Sequence, residues 1–153
     1  MESNTNYIRD ELLERLYEIY IHRKFYGDSI EVWRSKLDDT LYTMGFIDIE
    51  PIGIHPRVRV RDKTMDWVDR LPIVKKSELF FSFFTYAWIM DKGYNNEAAI
   101  WKYIKGLLTE LPVANLPQFL CHEEIRVRNI AKEIYDQKVS EILSFRNKEN
   151  PFL

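Results

Sequence analysis

The sequence predicts a mainly α-helical fold with a small β-hairpin near the middle of the chain. Over most of the 153 residues, apolar side chains recur every three or four positions, which is the period of an amphipathic helix. Between residues 46 and 61 the period shortens to two, as in a β-strand. The chain has five glycines and six prolines, and 46% of its residues are hydrophobic, so it can form a folded core.

The first two predicted elements are helices. An apolar stripe predicts a helix from Asn6 to Lys24, ended by Gly27. In Asp28–Glu31 a capping residue is followed three positions later by a carboxylate, which predicts the start of a second helix that stops at Gly45. The two apolar faces contain Ile8, Leu12, Leu16 and Ile19 in the first helix, and Ile30, Trp33, Leu37, Leu41 and Met44 in the second.

A β-hairpin is predicted next. Phe46–Glu50 and Arg57–Arg61 both alternate between apolar and charged residues, and the connection between them is rich in turn formers. A short helix from Thr64 to Leu71 should follow, closed by Pro72. These elements make up a first half, residues 1–72.

The second half, residues 73–153, is predicted to contain about three helices. They span Ser77 to Asp91, Glu97 to Glu110, and Glu123 to about Asn147. We place the seam between the halves at Leu71–Lys76 and expect either two small domains or halves packed as one unit.

The order of elements in residues 6–72 resembles that of winged-helix domains. The resemblance is carried by Leu41–Ile47, where an apolar-faced helix ends in Gly-Phe-Ile, and by Arg57–Val68, where a charged strand leads into a short helix. It departs from the family pattern in having no room for a separate helix between Lys24 and Asp28. The resemblance implies a winged-helix scaffold, a fold in which the second capped helix commonly enters the major groove of DNA.

That second helix has few side chains suited to reading DNA. Base readout uses Arg, Lys, Asn or Gln, and the basic residues here are Arg34 and Lys36. Asp38 and Asp39 are expected to face outward, where phosphates would lie. We therefore expect this helix to be a poor DNA reader.

The predicted wing is more basic. Residues 46–76 carry seven basic and five acidic side chains, and the wing contributes Arg57, Arg59, Arg61 and Lys63. Arginines at period-two spacing can follow a phosphate backbone. They can equally pair with Asp48 and Glu50 across the hairpin and stabilise it. The sequence is therefore compatible with a phosphate-binding surface and with a cross-strand charge ladder.

The aromatic run after Ser77 has two interpretations as well. It is typical either of a helix buried on all sides or of one that meets a partner with half its surface. The candidate interface residues are Phe80, Phe81, Phe84 and Trp88.

Catalytic, metal-binding and cofactor-binding patterns are not found in the sequence. Cys121 and His122 are adjacent rather than spaced as metal ligands, and we expect Cys121 to pack as a small apolar side chain. No glycine-rich phosphate loop occurs, and the carboxylate pairs fall on predicted exposed faces or helix starts.

These observations predict a non-enzymatic protein-binding module, such as an interaction subunit, an adaptor or an inhibitor. The alternative is a DNA-binding transcriptional regulator that forms a homodimer through its second half. The longest apolar run, Leu79–Met90, is too short to cross a bilayer, and the single cysteine and polar N-terminus are typical of a cytoplasmic protein.

Overall fold

The computed structural model describes residues 10–26, 30–31, 36–50, 56–84 and 97–149. Its helices are α1 (Asp10–Tyr26), α2 (Lys36–Thr43), α3 (Asp62–Asp69), α4 (Ile73–Phe83), α5 (Glu97–Glu110) and α6 (Ile125–Glu149). Its strands are β1 (Ile30–Glu31), β2 (Ile47–Glu50) and β3 (Arg57–Val60). Two short 3-10 turns, Val113–Asn115 and Pro117–Cys121, connect α5 with α6. The prediction of a mainly α-helical fold with a small β-hairpin is confirmed.

The predicted hairpin forms the larger part of an antiparallel sheet with the strand order β1-β3-β2. Ile47 lies opposite Val60, and Asp48 lies opposite Arg59. Because successive side chains in a strand point to opposite faces, the apolar residues of both strands turn toward the core and the charged ones turn away. Val58 is also fully buried.

The predicted start of the second helix is wrong. Ile30 and Glu31 form β1, which pairs with Val58 and Arg57 of β3, and α2 begins only at Lys36. Hydrogen bonds to a distant strand therefore override the capping pattern in Asp28–Glu31. Trp33 and Arg34, which were expected on this helix, lie outside the described residues.

Gly45 ends the second helix, as predicted. Its backbone has a positive φ of 86°, a conformation that side chains with a Cβ rarely adopt. The turn lets the N–H of Phe46 donate to the carbonyl oxygen of Leu41 at 3.0 Å. Phe46 then enters the core and stacks on Trp67, with ring centroids 5.6 Å apart.

The aromatic helix begins and ends earlier than predicted. It runs from Ile73 to Phe83 and not from Ser77 to Asp91. Pro72 precedes its first turn, and Phe84 has an extended backbone (φ −69°, ψ 126°) that ends it. Phe84 has thus left the helix, and residues 85–91 lie outside the described residues.

A single hydrophobic core joins the two predicted halves. Helix α4 packs against α1 of the first half and against α5 of the second, so packing continues across the predicted seam. The buried cluster contains residues of α1, β3, α4, α5 and α6, namely Leu16, Val58, Phe80, Ile104 and Ala131. Residues 1–72 and 73–153 are therefore packed together in the described part of the chain.

Candidate protein-binding surface

Asp38 does not face outward, contrary to prediction. It is buried, with 0% of its surface exposed, and it accepts two hydrogen bonds from Arg15 of α1: Nε to Oδ1 at 2.7 Å and Nη2 to Oδ2 at 2.9 Å. Arg15 also donates to Glu18 at 2.5 Å. A bidentate pair of this kind satisfies the buried carboxylate and fixes its geometry. Asp38 thus fastens α2 to α1 and is not available to a ligand.

Two of the wing arginines are paired with carboxylates. Arg61 Nε lies 2.8 Å from Asp48 Oδ1. The guanidinium of Arg59 lies between two carboxylates: Nη1 is 3.9 Å from Glu50 Oε1, and Nη2 is 3.4 Å from Asp62 Oδ1. The strand register sets Arg57 opposite Glu50. This arrangement is the cross-strand charge ladder that was one of the two interpretations of the sequence.

The carboxylate of Asp62 also receives a hydrogen bond from Arg23 of α1, at 2.5 Å. This bond, together with the charges of Arg23 and Arg59, lowers the pKa of Asp62. Arg23 donates to the carbonyl oxygen of Val60 as well, at 2.6 Å. The end of β3 is therefore tied to the first helix.

The remaining predicted basic residues are dispersed. Lys36 opens α2 and Lys63 lies in the first turn of α3, and both are exposed. Neither has an ion-pair partner among the described residues. The structure does not gather the predicted cations into one patch free of carboxylates in the part of the chain it describes.

The predicted interface aromatics belong mainly to the core. Phe80 and Phe84 are buried, and their rings stack with centroids 5.2 Å apart, so for these two residues the structure agrees with the buried-helix interpretation and not with a partner surface. Phe81 is partly buried and packs against Phe119, with ring centroids 4.7 Å apart. Trp88 lies outside the described residues. The physical reason is that α4 packs against both α1 and α5.

Cys121 and His122 lie at the end of the second 3-10 turn, before α6. Cys121 is exposed, so the prediction that it packs is wrong. His122 Nδ1 accepts a hydrogen bond from the backbone N–H of Glu124 at 3.0 Å, which occupies that nitrogen. In the described part of the chain, no group of three or more His, Cys, Asp or Glu residues is placed to hold a metal ion.

An exposed apolar surface lies elsewhere, at the end of the last helix. The first turns of α6 bury Val127, Ala131 and Ile134 in the core. From Ser140 to Arg146, in contrast, every side chain is exposed. Three of them are large and apolar: Ile142, Leu143 and Phe145 are 45%, 53% and 61% exposed. We call residues 138–146 the C-terminal arm.

A groove runs between this arm and the first 3-10 turn. Its volume is about 720 Å³, and it is lined by Val113, Lys138, Glu141, Ile142, Phe145 and Arg146. Lys138 Nζ donates to the carbonyl oxygen of Leu111 at 2.5 Å, which fixes the arm where it leaves the core. In the sequence, the only indication of this surface is that the apolar stripe of the last helix continues to Ile142 and Phe145.

Comparisons with known proteins do not identify this chain. No family model, curated protein or solved structure matches it. Among the described residues, no helix is long and apolar enough to cross a membrane.

Proposed function

We propose that this chain is a non-enzymatic protein-binding module, acting as an interaction subunit, an adaptor or an inhibitor, and that it contacts its partner through the C-terminal arm. The observation that carries the proposal is the exposure of Ile142 and Phe145, which line the groove, together with Leu143, which is exposed on another side of the same helix. Large apolar side chains gathered beside a groove are typical of interaction sites. Residues 6–72 supply a winged-helix-like scaffold, and the helix, sheet and closing-helix order supports that part of the proposal.

The burial pattern along α6 supports the same function. Its apolar stripe continues past the point where its own core ends, since Ile134 is buried and Ile142 is not. Covering apolar surface stabilises a complex by about 25 cal/mol per Å² before the costs of association. Phe145, the most exposed of the three, is the side chain we expect to enter a pocket on the partner.

Paired substitutions on the arm test the proposal. The full chain would be cross-linked in cells that produce it, and the captured protein identified, purified and titrated by calorimetry. We expect Ile142→Asp with Phe145→Asp to weaken binding at least about thirtyfold, because the loss of a single interface hot spot costs about 2 kcal/mol. The control, Ser140→Asp with Ser144→Asp, adds the same charge to exposed positions of the same helix. Equal affinity in the two variants would contradict the proposal.

The alternative, a DNA-binding transcriptional regulator, has weaker support. Arg59 and Arg61 are already paired with carboxylates of the wing and of α3, so releasing them to phosphates would break ion pairs. Binding of the full chain to random duplex DNA, measured between low and physiological salt, tests this function. Affinity that falls steeply with salt and is lost on changing Arg57, Arg59 and Arg61 to Glu would favour the regulator over the protein-binding module.

A further inference from the structure

We propose that the segment received by the arm groove is an acidic amphipathic helix of a protein partner. Its apolar side would cover Val113, Ile142 and Phe145, and its carboxylates would meet Lys138 and Arg146. This inference rests on the proposed function and adds the chemistry of the partner to it.

The spacing of the groove residues gives the first argument. Lys138, Ile142 and Arg146 follow one another at four-residue steps and therefore lie in one row along the helix. At about 1.5 Å per residue, the two cations are separated by about 12 Å along the helix axis. Phe145 lies beside Ile142 in the same face, three positions along. The apolar part of the groove is thus bracketed by a cation at each end.

The charges of the groove give the second argument. Neither Lys138 nor Arg146 has a carboxylate within ion-pair distance among the described residues. The hydrogen-bond acceptor that holds Lys138 is the carbonyl of Leu111, which is neutral and leaves the ammonium charge uncompensated. Among the described lining residues the acidic one is Glu141, whose Oε1 lies 3.4 Å from the amide nitrogen of Gln137. The groove therefore presents two cations to an incoming segment.

A complementary helix follows from these two facts. Carboxylates seven residues apart on one face of a helix are separated by about 10 Å, close to the spacing of the two cations. Apolar residues three and four positions after the first carboxylate would then face Ile142 and Phe145. A second copy of the arm fits less well, because it would bring Lys138 and Arg146 with only Glu141 to offset them. Like charges would meet in such a pair.

A peptide selection tests the inference. A displayed library of random 16-residue peptides would be selected on the full chain, with counter-selection on the Ile142→Asp, Phe145→Asp variant. We expect the enriched peptides to have apolar residues at helical spacing and an excess of Asp and Glu over Lys and Arg. A synthetic peptide from this set should lose at least tenfold in affinity against Arg146→Glu and less than twofold against the control Lys132→Glu, an exposed lysine of the same helix. Replacing the peptide's carboxylates by lysines should restore binding to Arg146→Glu.

The opposing results are distinct. Enriched peptides that depend on the arm but carry no acidic excess would overturn the acidic partner and leave the protein-binding function standing. A lack of any arm-dependent enrichment would overturn the inference, while the cellular cross-linking experiment still decides the proposed function. Arm-dependent dimerisation in sedimentation velocity would assign the groove to a second copy. Arm-dependent binding to vesicles of phosphatidylcholine and phosphatidylglycerol would assign it to a lipid surface. Either assignment would overturn the acidic helix.

Discussion

Asp38 and Asp39 are neighbours in α2 with opposite environments: Asp38 is buried against Arg15, and Asp39 is exposed. Breaking a buried ion pair costs about 3 to 5 kcal/mol, and the lower end, about 3 kcal/mol, applies to Asp38 because Arg15 keeps Glu18 as a second carboxylate partner. We expect Asp38→Ala to lower the free energy of unfolding by that amount, measured by urea denaturation. Asp39→Ala should change it by less than about 0.5 kcal/mol. Similar losses in the two variants would show that the Arg15 pair does not hold α2 in place.

The Arg15–Asp38 ion pair shows which features of the fold could not be predicted from residue patterns. A helical period assigns Asp38 to the polar side because it is charged, but a charge can turn inward where a partner on another helix meets it. Arg15 precedes Asp38 by 23 positions, so no local pattern connects them. The inward positions Leu12, Leu16 and Leu41 were predictable because burial of an aliphatic side chain needs no specific partner.

At the scale of the elements, Gly45, which follows α2, and Gly106, which lies within α5, have contrasting conformations. Gly45 has a positive φ at the end of α2, whereas Gly106 lies inside α5 and a Cβ built on it would meet nothing within 4 Å. We expect Gly45→Ala to destabilise the protein by about 1 kcal/mol, since a left-handed backbone strains a residue with a Cβ. Gly106→Ala should stabilise it by about 0.5 to 1 kcal/mol, because glycine weakens a helix interior.

Thermal unfolding of both variants checks the prediction through the direction in which the unfolding midpoint shifts. A lower midpoint for Gly45→Ala and a higher one for Gly106→Ala are expected. Two shifts in the same direction would contradict the roles given to these backbone conformations.

The predictability of an element depended on how local its cause was. The hairpin strands and α5 were predicted because alternation and helical period arise within the segment itself. β1 was not, because its two residues are extended only through pairing with β3. The C-terminal arm was predicted to be helical, but its exposure was not predicted. A periodic stripe indicates which side of a helix is apolar, but it does not indicate whether another element covers that side.

At the scale of the whole molecule, a tyrosine network joins α1, α3 and α5. The hydroxyl groups of Tyr17 and Tyr103 are hydrogen-bonded, and Tyr20 donates to the carboxylate of Asp69. Burial raises the pKa of Tyr17 and Tyr20, and it raises the pKa of Tyr103 to about 12. The ordinary value for a phenol is about 10. Each hydroxyl is therefore held neutral by the folded protein.

This network makes stability depend on alkaline pH. A raised folded-state pKa contributes stability that is fully present below the unfolded value, about 10, and is lost as pH rises toward and through about 12. We expect the unfolding midpoint to fall more steeply with pH above 10 in the wild type than in a Tyr17→Phe, Tyr103→Phe variant. Tyr42→Phe, at an exposed hydroxyl, is the control. Parallel pH profiles for the wild type and the double variant would rule out this network as the source.

The central position of β3 has a consequence for the order of assembly. Its pairing with β2 closes a short connection, whereas its pairing with β1 joins Val58 to Ile30, much farther back along the chain. Since the entropy lost on closing a loop grows with its length, we expect the β2–β3 pair to form before β1 joins the free edge of β3. On this expectation the strand that comes first in the sequence, β1, is the last to join the sheet.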